Sequence, residues 1–142
     1  MGQQQFDNNK LMMNVDITAA TSATVGGTAF MVPETAVAAS FMYVFNSGTG
    51  GTAAKAYIQT SVDGGTTWAD VSSFAGASAD LNKTSSVSGV IAGAHATALD
   101  GTLADNTDLD GFFGTQWRVK YVTTGTYTGA NLKVYAKFHS NG

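Results

Sequence analysis

The strongest candidate for chemistry in this sequence is an acidic segment at residues 106–111. It reads Asn-Thr-Asp-Leu-Asp-Gly, which is similar to the start of a calcium loop, where alternating oxygen ligands and a sharp glycine turn surround a hard cation. Two positions depart from that pattern, because Asn106 replaces the first Asp and Trp117 stands where a bidentate Glu belongs. We therefore interpret the segment as a solvated turn and predict no metal ligand or cofactor.

Hydrolytic chemistry has weaker candidates. Residues 86–89 read Ser-Val-Ser-Gly and lack the leading glycine of a nucleophile elbow. Only His95 and His139 could act as bases, and two histidines without a third ligand make a poor zinc site. A nucleophile, a base and an orienting group cannot be assembled from these residues. The sequence predicts no catalytic residue, and we expect a protein that is not an enzyme.

Residues 48–53 raise the question of a nucleotide site. They read Gly-Thr-Gly-Gly-Thr-Ala, which satisfies the letters of a dinucleotide fingerprint. That loop must open a helix whose N-terminus holds the pyrophosphate, and here a strand-like run follows instead. We interpret 48–53 as a glycine-rich hairpin connection between the strand-like runs 37–46 and 53–62.

The clearest turn in the chain lies at residues 61–68, which read Ser-Val-Asp-Gly-Gly-Thr-Thr-Trp. Gly64 and Gly65 can take the positive φ of a hairpin turn, and the Asp63 carboxylate can accept backbone N–H groups across it. The segment resembles the Asp-box of sialidases and related β-propellers, where the box is a structural hairpin. Propellers repeat the box from blade to blade, whereas this chain has one copy, and a single arginine where retaining sialidases use three. The resemblance therefore implies a structural hairpin alone.

The strands that position these turns are predicted from runs in which apolar and polar residues alternate. They lie at residues 11–18, 37–45, 54–62, 116–121 and 130–139, with weaker runs at 22–32, 66–74 and 84–96. A short helix is the alternative at 84–98, because alanine is frequent there. About eight short strands predict an all-β, single-domain, two-sheet β-sandwich of the jelly-roll kind over residues 10–142. The polar residues 1–9 are predicted to form an N-terminal arm outside it.

Composition limits the partners of the protein. Charged residues make up 12 % of the chain, about half the usual share, and the net charge is -3 with a single arginine. Phosphate binding needs clustered Lys and Arg, so no nucleic-acid partner is expected. No stretch reaches the ~18 apolar residues of a membrane span, so no membrane partner is expected. Such a weakly charged β surface is suited to being covered by copies or partners.

The residues predicted to make such contacts come from several parts of the chain. Both faces of the run 37–45 are apolar, which implies that its second face is covered. Two tyrosines fall on the polar faces of their strands, where exposed aromatics anchor interfaces. The irregular stretch 97–114 and the arm supply the rest, since long loops are often interfacial. The candidate interface residues are Phe6, Met42, Val44, Tyr57, Tyr135, Asp108 and Asp110.

Three segments together resemble a known class of virion proteins. Residues 56–71, centred on the hairpin, and the C-terminal pair 117–121 and 132–136 look like capsid decoration (cement) proteins of tailed bacteriophages. The resemblance implies a non-enzymatic jelly-roll subunit, made in the host cytoplasm and located on the capsid surface of the virion. It also implies a homo-oligomer, dimeric or trimeric, that binds the major capsid protein and stabilises the shell by bridging neighbouring capsid subunits.

The alternative is a carbohydrate-binding or tail and baseplate β-sandwich module of a phage. In sugar-binding modules, aromatic faces stack on pyranose rings while polar neighbours bind the hydroxyl groups. The candidates for that stacking are Trp68, Tyr57 and Tyr135.

Overall fold

The chain folds almost entirely into β-strands, as its alternating runs predict. The structure, a computed structural model, describes residues 10–18, 20–91, 93 and 96–140, and at 21–23 the backbone alone. Within these residues there is no helix, so the helical alternative at 84–98 is wrong and its first residues belong to a strand. The strands are β1 Lys10–Ile17, β2 Thr21–Met31, β3 Ala36–Asn46, β4 Thr49–Gly50, β5 Ala53–Ser61, β6 Ala69–Gly76, β7 Leu81–Ser88, β8 Gln116–Thr124, β9 Tyr127–Thr128 and β10 Ala130–Ser140.

The eight long strands form two four-stranded antiparallel sheets. Sheet A has the order β1-β10-β3-β7 and sheet B the order β2-β8-β5-β6, while the short β4 and β9 pair with each other. Counted along the chain, the first long strand pairs with the last, the second with the seventh, the third with the sixth and the fourth with the fifth. This nested pairing is a long hairpin folded over on itself, which is the jelly-roll topology. The predicted all-β, two-sheet sandwich is confirmed.

The core lies between the inner faces of the two sheets. The alternation of β10 is confirmed residue by residue, because Leu132, Val134 and Phe138 are buried while Lys133 and Lys137 point outward. A fully buried Leu, Val or Phe side chain contributes about 1.5–3 kcal/mol relative to exposure. The largest side chains with almost no exposure are Trp117, Tyr43, Tyr127, Phe45, Phe74 and Met13.

Strand β1 departs from strict alternation. The sequence places Leu11, Met13, Val15 and Ile17 on one face, but the register against β10 shifts between Leu11 and Met13. This β-bulge turns both Met12 and Met13 inward and leaves Leu11 45 % exposed on the outer face of sheet A. The prediction that Leu11 shares the core face is therefore wrong.

The glycine-rich segment 48–53 is a crossing between sheets. Because β3 lies in sheet A and β5 in sheet B, the predicted hairpin connection between them is wrong. Gly48 has a φ of 56°, and a Cβ at this position would collide with the carbonyl oxygen of Thr128, so only glycine fits. The crossing is held by β4, which pairs with β9 in the other inter-sheet connection.

The irregular stretch 97–114 covers an open sheet edge. Backbone hydrogen bonds join Asp70 N to Leu99 O, Ser73 N to Thr107 O and Leu109 N to Val71 O, at 2.7, 2.9 and 2.8 Å. These bonds occupy part of the free edge of β6, which would otherwise present unpaired N–H and C=O groups. The loop thus completes the side of the sandwich between β6 and β7.

Candidate functional site: two interaction surfaces

The Asp-box-like hairpin is held by its own polar groups. Asp63 Oδ1 accepts hydrogen bonds from Thr66 N at 3.1 Å, Thr67 N at 2.8 Å and Ser61 Oγ at 2.9 Å. The bonds from Thr67 and Ser61 favour the ionised carboxylate and lower the pKa of Asp63 to about 2. Gly64 and Gly65 have φ of 80° and 90°, as the turn prediction requires. All of these groups stabilise the turn, which joins the paired strands β5 and β6.

Asp70 on β6 holds the irregular stretch 97–114, which we call the long loop. Asp70 is 2 % exposed and accepts N–H groups from Gly101, Thr102 and Leu103 together with Gln59 Nε2. These bonds are 2.8–3.1 Å long and employ both carboxylate oxygens. A buried carboxylate so occupied anchors backbone rather than transferring protons.

Asp100 belongs to the same hydrogen-bond network and lies on its solvent-exposed side. Its Oδ1 lies 2.7 Å from Lys120 Nζ, 2.6 Å from Gln59 Nε2 and 3.7 Å from the Arg118 guanidinium. Partial burial opposes ionisation, but the hydrogen bonds from Lys120 and Gln59 and the nearby cations together lower the pKa of Asp100. The Arg118 guanidinium in turn stacks over the Trp68 ring, 4.3 Å from its centroid.

The aromatic residues proposed for sugar stacking on sheet B are covered. Tyr57 faces away from the core, as its alternation predicts, but it is only 5 % exposed, so its prediction as an exposed contact residue is wrong. The long loop lies over this face, where Ser73 Oγ donates to Ala104 O and Lys55 Nζ is 3.0 Å from Asp105. Trp68 is also buried, beneath Arg118.

Sheet A, in contrast, carries an uncovered row of apolar side chains on its outer face. Leu11, Tyr135 and Met42 are direct neighbours across β1, β10 and β3, and Met42 is 43 % exposed. We call these three residues the apolar row. Nothing within the described chain covers it, so the second apolar face predicted for residues 37–45 is open in the single subunit.

A lysine of β10 borders the apolar row on each side. Lys133 and Val44 form the next cross-strand pair on one side, and Lys137 and Ser40 form it on the other. The face is a broad open depression of about 760 Å³ whose rim includes Asp108. The structure therefore brings together four predicted interface residues, namely Met42, Val44, Tyr135 and Asp108.

The calcium-like segment does not assemble a cation site. Asn106 Oδ1 accepts from Ala75 N at 3.1 Å, Asp108 Oδ1 from Ser72 Oγ at 2.8 Å, and Asp110 Oδ1 from Ser88 N at 2.7 Å. The three side chains fasten the loop to β6 and β7 instead of converging on one point. In the described part of the chain, no group of three or more His, Asp or Glu side chains could hold a metal ion.

The same loop presents a second apolar surface that sequence patterns do not reveal. Leu109 and Phe112 line a groove of about 180 Å³ against β6. The carbonyl oxygen of Ile91 lies 2.9 Å from the point that a Cβ on Gly111 would occupy, which brings the preceding segment beside them. We call the exposed apolar side chains here the loop patch, which comprises Ile91, Leu109 and Phe112.

The remaining candidates lie apart from these surfaces or outside the description. His139 is exposed on β10, with Nε2 3.2 Å from Ser40 Oγ. Phe6 and His95 fall outside the described residues. Across the described residues, no helix has the length and apolarity needed to cross a bilayer.

The apolar row and the loop patch are therefore the candidate interaction surfaces of the protein. Comparison of the chain with family models, with curated proteins and with solved structures finds no match.

Proposed function

We propose that this chain is a non-enzymatic structural protein of a tailed-phage virion, which decorates the capsid and stabilises it by bridging neighbouring copies of the major capsid protein. The observation that carries the proposal is the apolar row, which lies uncovered in the open depression on the outer face of sheet A of a weakly charged jelly roll. A clamping subunit has to hold at least two neighbours at once. The apolar row and the loop patch supply two exposed apolar surfaces for that purpose.

The reactive side chains support the non-enzymatic part of the proposal. Ser72 Oγ, beside the Asp108 carboxylate, also lies 2.6 Å from the Tyr43 hydroxyl and 2.9 Å from Ser85 Oγ. Ser72 has no solvent exposure, and this chain of hydroxyls joins β3, β6 and β7 across the sandwich. Asp70, likewise buried, anchors the long loop. These groups hold the fold together.

Energetics also favour a clamp of many weak contacts. Covering one exposed Met or Leu side chain yields at most about 1.5–3 kcal/mol, so the apolar row of one subunit makes a modest contact. Many copies on one shell act together, and linking such contacts multiplies the effect of each. Only 12 % of the residues in the chain are charged, so few charges lose their solvation when the surface is covered.

The test uses purified protein and undecorated capsids of the phage that encodes the chain. We expect the protein to sediment with the capsids and to raise the temperature at which the shells break. Met42→Glu places a charge in the apolar row and should abolish both effects. Met31→Glu is the matched control, because Met31 is 64 % exposed on β2, which belongs to sheet B and not to the sheet that carries the apolar row, and it should behave like the wild type.

Two results would count against the proposal. One is the absence of co-sedimentation and of any gain in shell stability with the wild-type protein. The other is binding by Met42→Glu that equals binding by Met31→Glu, which would remove the apolar row from the contact.

The carbohydrate-binding alternative keeps one supporting observation. Tyr135 lies in the open depression of about 760 Å³ beside the hydroxyl groups of Ser40 and Thr84, an arrangement that could accept a sugar. A glycan array would support this function if the wild type binds and Tyr135→Ala does not, while Met31→Glu still does. Failure of the wild type to bind any glycan would rule it out in favour of capsid decoration.

A further inference from the structure

The four edge strands of the two sheets differ in their protection against pairing with another chain. The edges are β1 and β7 in sheet A and β2 and β6 in sheet B. β1 and β2 carry register shifts against their neighbours, and the long loop covers part of β6. Irregularities and covering segments of this kind are the usual protection of an edge. β7, in contrast, pairs with β3 without a register shift from Leu81 to Ser88, which makes it the regular edge to which another strand can be added.

Hydrogen bonds of the long loop show which backbone groups of β7 point away from β3. Ser88 N donates to Asp110 Oδ1 at 2.7 Å, and Ser88 O accepts from Gly111 N at 2.8 Å. Paired residues along an antiparallel ladder alternate between bonding each other and pointing outward. Counted back from Ser88, the residues that point outward are Asn82, Thr84 and Ser86. No described residue forms a hydrogen bond with their three N–H or three C=O groups. We call these three residues the open edge.

The described chain leaves the space beside the open edge unfilled. Phe74 of β6 stacks on Tyr43 of β3 with ring centroids 5.2 Å apart, so β6 lies beneath β3. Asp108 of the long loop reaches the inner face of β7, because Ser72 Oγ donates to Asp108 Oδ1 at 2.8 Å and lies 2.9 Å from Ser85 Oγ. The loop therefore packs beneath β7 instead of extending beyond it. Two residues of the open edge line the depression of about 760 Å³, so solvent reaches this side of the strand.

We propose that two copies of this chain pair antiparallel through the open edge, forming a dimer with two-fold symmetry. The loop of each copy already occupies Ser88, so the pairing window is centred on Thr84. Thr84 then stands opposite Thr84 of the partner subunit, and Asn82 stands opposite Ser86 of the partner subunit. In this register every outward N–H group of one copy donates to an outward C=O group of the other. A second copy is the occupant, because an antiparallel edge centred on one residue is complementary to itself.

The side chains at the open edge suit this pairing. All three are exposed, polar and uncharged, so no like charges meet across the two-fold axis. Thr–Thr and Thr–Ser pairs on opposite strands stabilise antiparallel sheets. Because β7 is already ordered in each copy, little conformational entropy is lost when two such strands pair. Met42 on β3 is the direct neighbour of Thr84, so the apolar rows of both copies lie in line across the axis and stay uncovered.

Sedimentation velocity over a concentration series measures the mass of the purified chain. We expect the wild type to form a species of twice the 14.6 kDa of one chain. Thr84→Pro removes the central N–H group, which has no partner within the subunit, so the edge strand tolerates the proline. The dimer loses its two central hydrogen bonds, and we expect at least about a 10-fold loss in association constant. Thr84→Ala is the matched control, because it keeps the N–H group and should associate like the wild type.

Charges introduced at the centre of the open edge test the two-fold register. Thr84→Glu places two carboxylates opposite each other in the dimer, and Thr84→Lys places two ammonium groups there. Each variant alone should associate more weakly than the wild type, because like charges directly opposite destabilise paired strands. In a mixture of the two, opposite charges meet, and we expect association about 2–30-fold tighter than for either variant alone. Both variants keep every backbone group, so this test stands even where Thr84→Pro does not fold. Thermal unfolding followed by circular dichroism shows whether each variant is folded.

Three outcomes would overturn the inference. One is a wild type that remains at 14.6 kDa over the whole series. Another is a folded Thr84→Pro variant that associates as tightly as Thr84→Ala. The third is a mixture of Thr84→Glu and Thr84→Lys that associates no more tightly than the separate variants. The inference goes beyond capsid decoration and does not depend on it. None of these measurements uses capsids, so its failure and the failure of the proposed function are distinguishable.

Discussion

Removal of the Asp70 carboxylate tests how the long loop is fastened to the sandwich. In the folded protein this buried group satisfies the backbone N–H groups of Gly101, Thr102 and Leu103 and one N–H of Gln59. Asp70→Ala removes the acceptor of all four donors. The loop segment that covers the edge of β6 then loses its main side-chain anchor.

The expected loss in the free energy of unfolding depends on which of the four donors can form a hydrogen bond with water instead. Thr102 is exposed and Gly101 is half-buried, so their N–H groups can be hydrated, whereas Leu103 and Gln59 are buried. An unsatisfied buried donor costs about 1–3 kcal/mol, so two of them cost about 2–6 kcal/mol. We expect Asp70→Ala to lower the free energy of unfolding by about 4 kcal/mol, a large part of the roughly 5–15 kcal/mol of a typical domain.

Asp70→Asn provides an intermediate case. Its amide oxygen can take the place of Oδ2 and keep the loop N–H groups, but its NH₂ then faces Gln59 Nε2, donor against donor. Gln59 cannot turn its amide over without giving up the bond that its Oε1 accepts from Arg118 Nε at 2.7 Å. We therefore expect a loss of about 1–3 kcal/mol, from one unsatisfied donor.

Urea unfolding with linear extrapolation measures these losses, and hydrogen exchange at residues 99–103 locates them. The control is Asp105→Ala, which removes the partly exposed ion pair with Lys55 and should cost no more than about 1 kcal/mol. The reasoning is refuted if Asp70→Ala costs no more than Asp105→Ala, or if exchange at residues 99–103 does not change.

Two further predictions concern the hairpin and the core. The pKa of Asp63 is about 2 when folded and 3.8 in its unperturbed state, so its contribution is present above pH 3.8 and is lost as the pH falls toward 2. Asp63→Asn should flatten the loss of stability over this pH window, and unchanged pH dependence would contradict the assignment. Leu132 is completely buried on β10, and Leu132→Ala should cost about 2–5 kcal/mol in urea unfolding. Val62→Ala at an exposed position should stay within about 0.5 kcal/mol, and equal losses for the two would argue against this core.

Part of the interaction surface follows from local pattern alone. Met42, Val44 and Tyr135 lie on the outward positions of β3 and β10, where alternation assigns them. Asp108 is predicted from its position in the irregular stretch 97–114, and the structure places it at the rim of the same depression. Phe6 lies outside the described residues, so its interface role stays a prediction.

The loop patch could not be found in this way. Ile91 is some twenty residues from Leu109 and Phe112 in the sequence, and none of the three belongs to a strand. Their approach depends on hydrogen bonds from Leu109 and Gly111 to β6 and β7. Irregular segments have no periodicity from which a shared surface could be predicted.

Local patterns in the chain are enough to predict the strand faces of β8 and β10 and the hairpin turn, because alternation and positive-φ glycines act within a few residues. Three features come from long-range packing instead: the crossing from β3 to β5, the bulge that turns Leu11 outward and the burial of Tyr57 beneath the long loop. Those features depend on which distant segments pair. Pairing is set by packing across the whole sandwich, so no local pattern contains it.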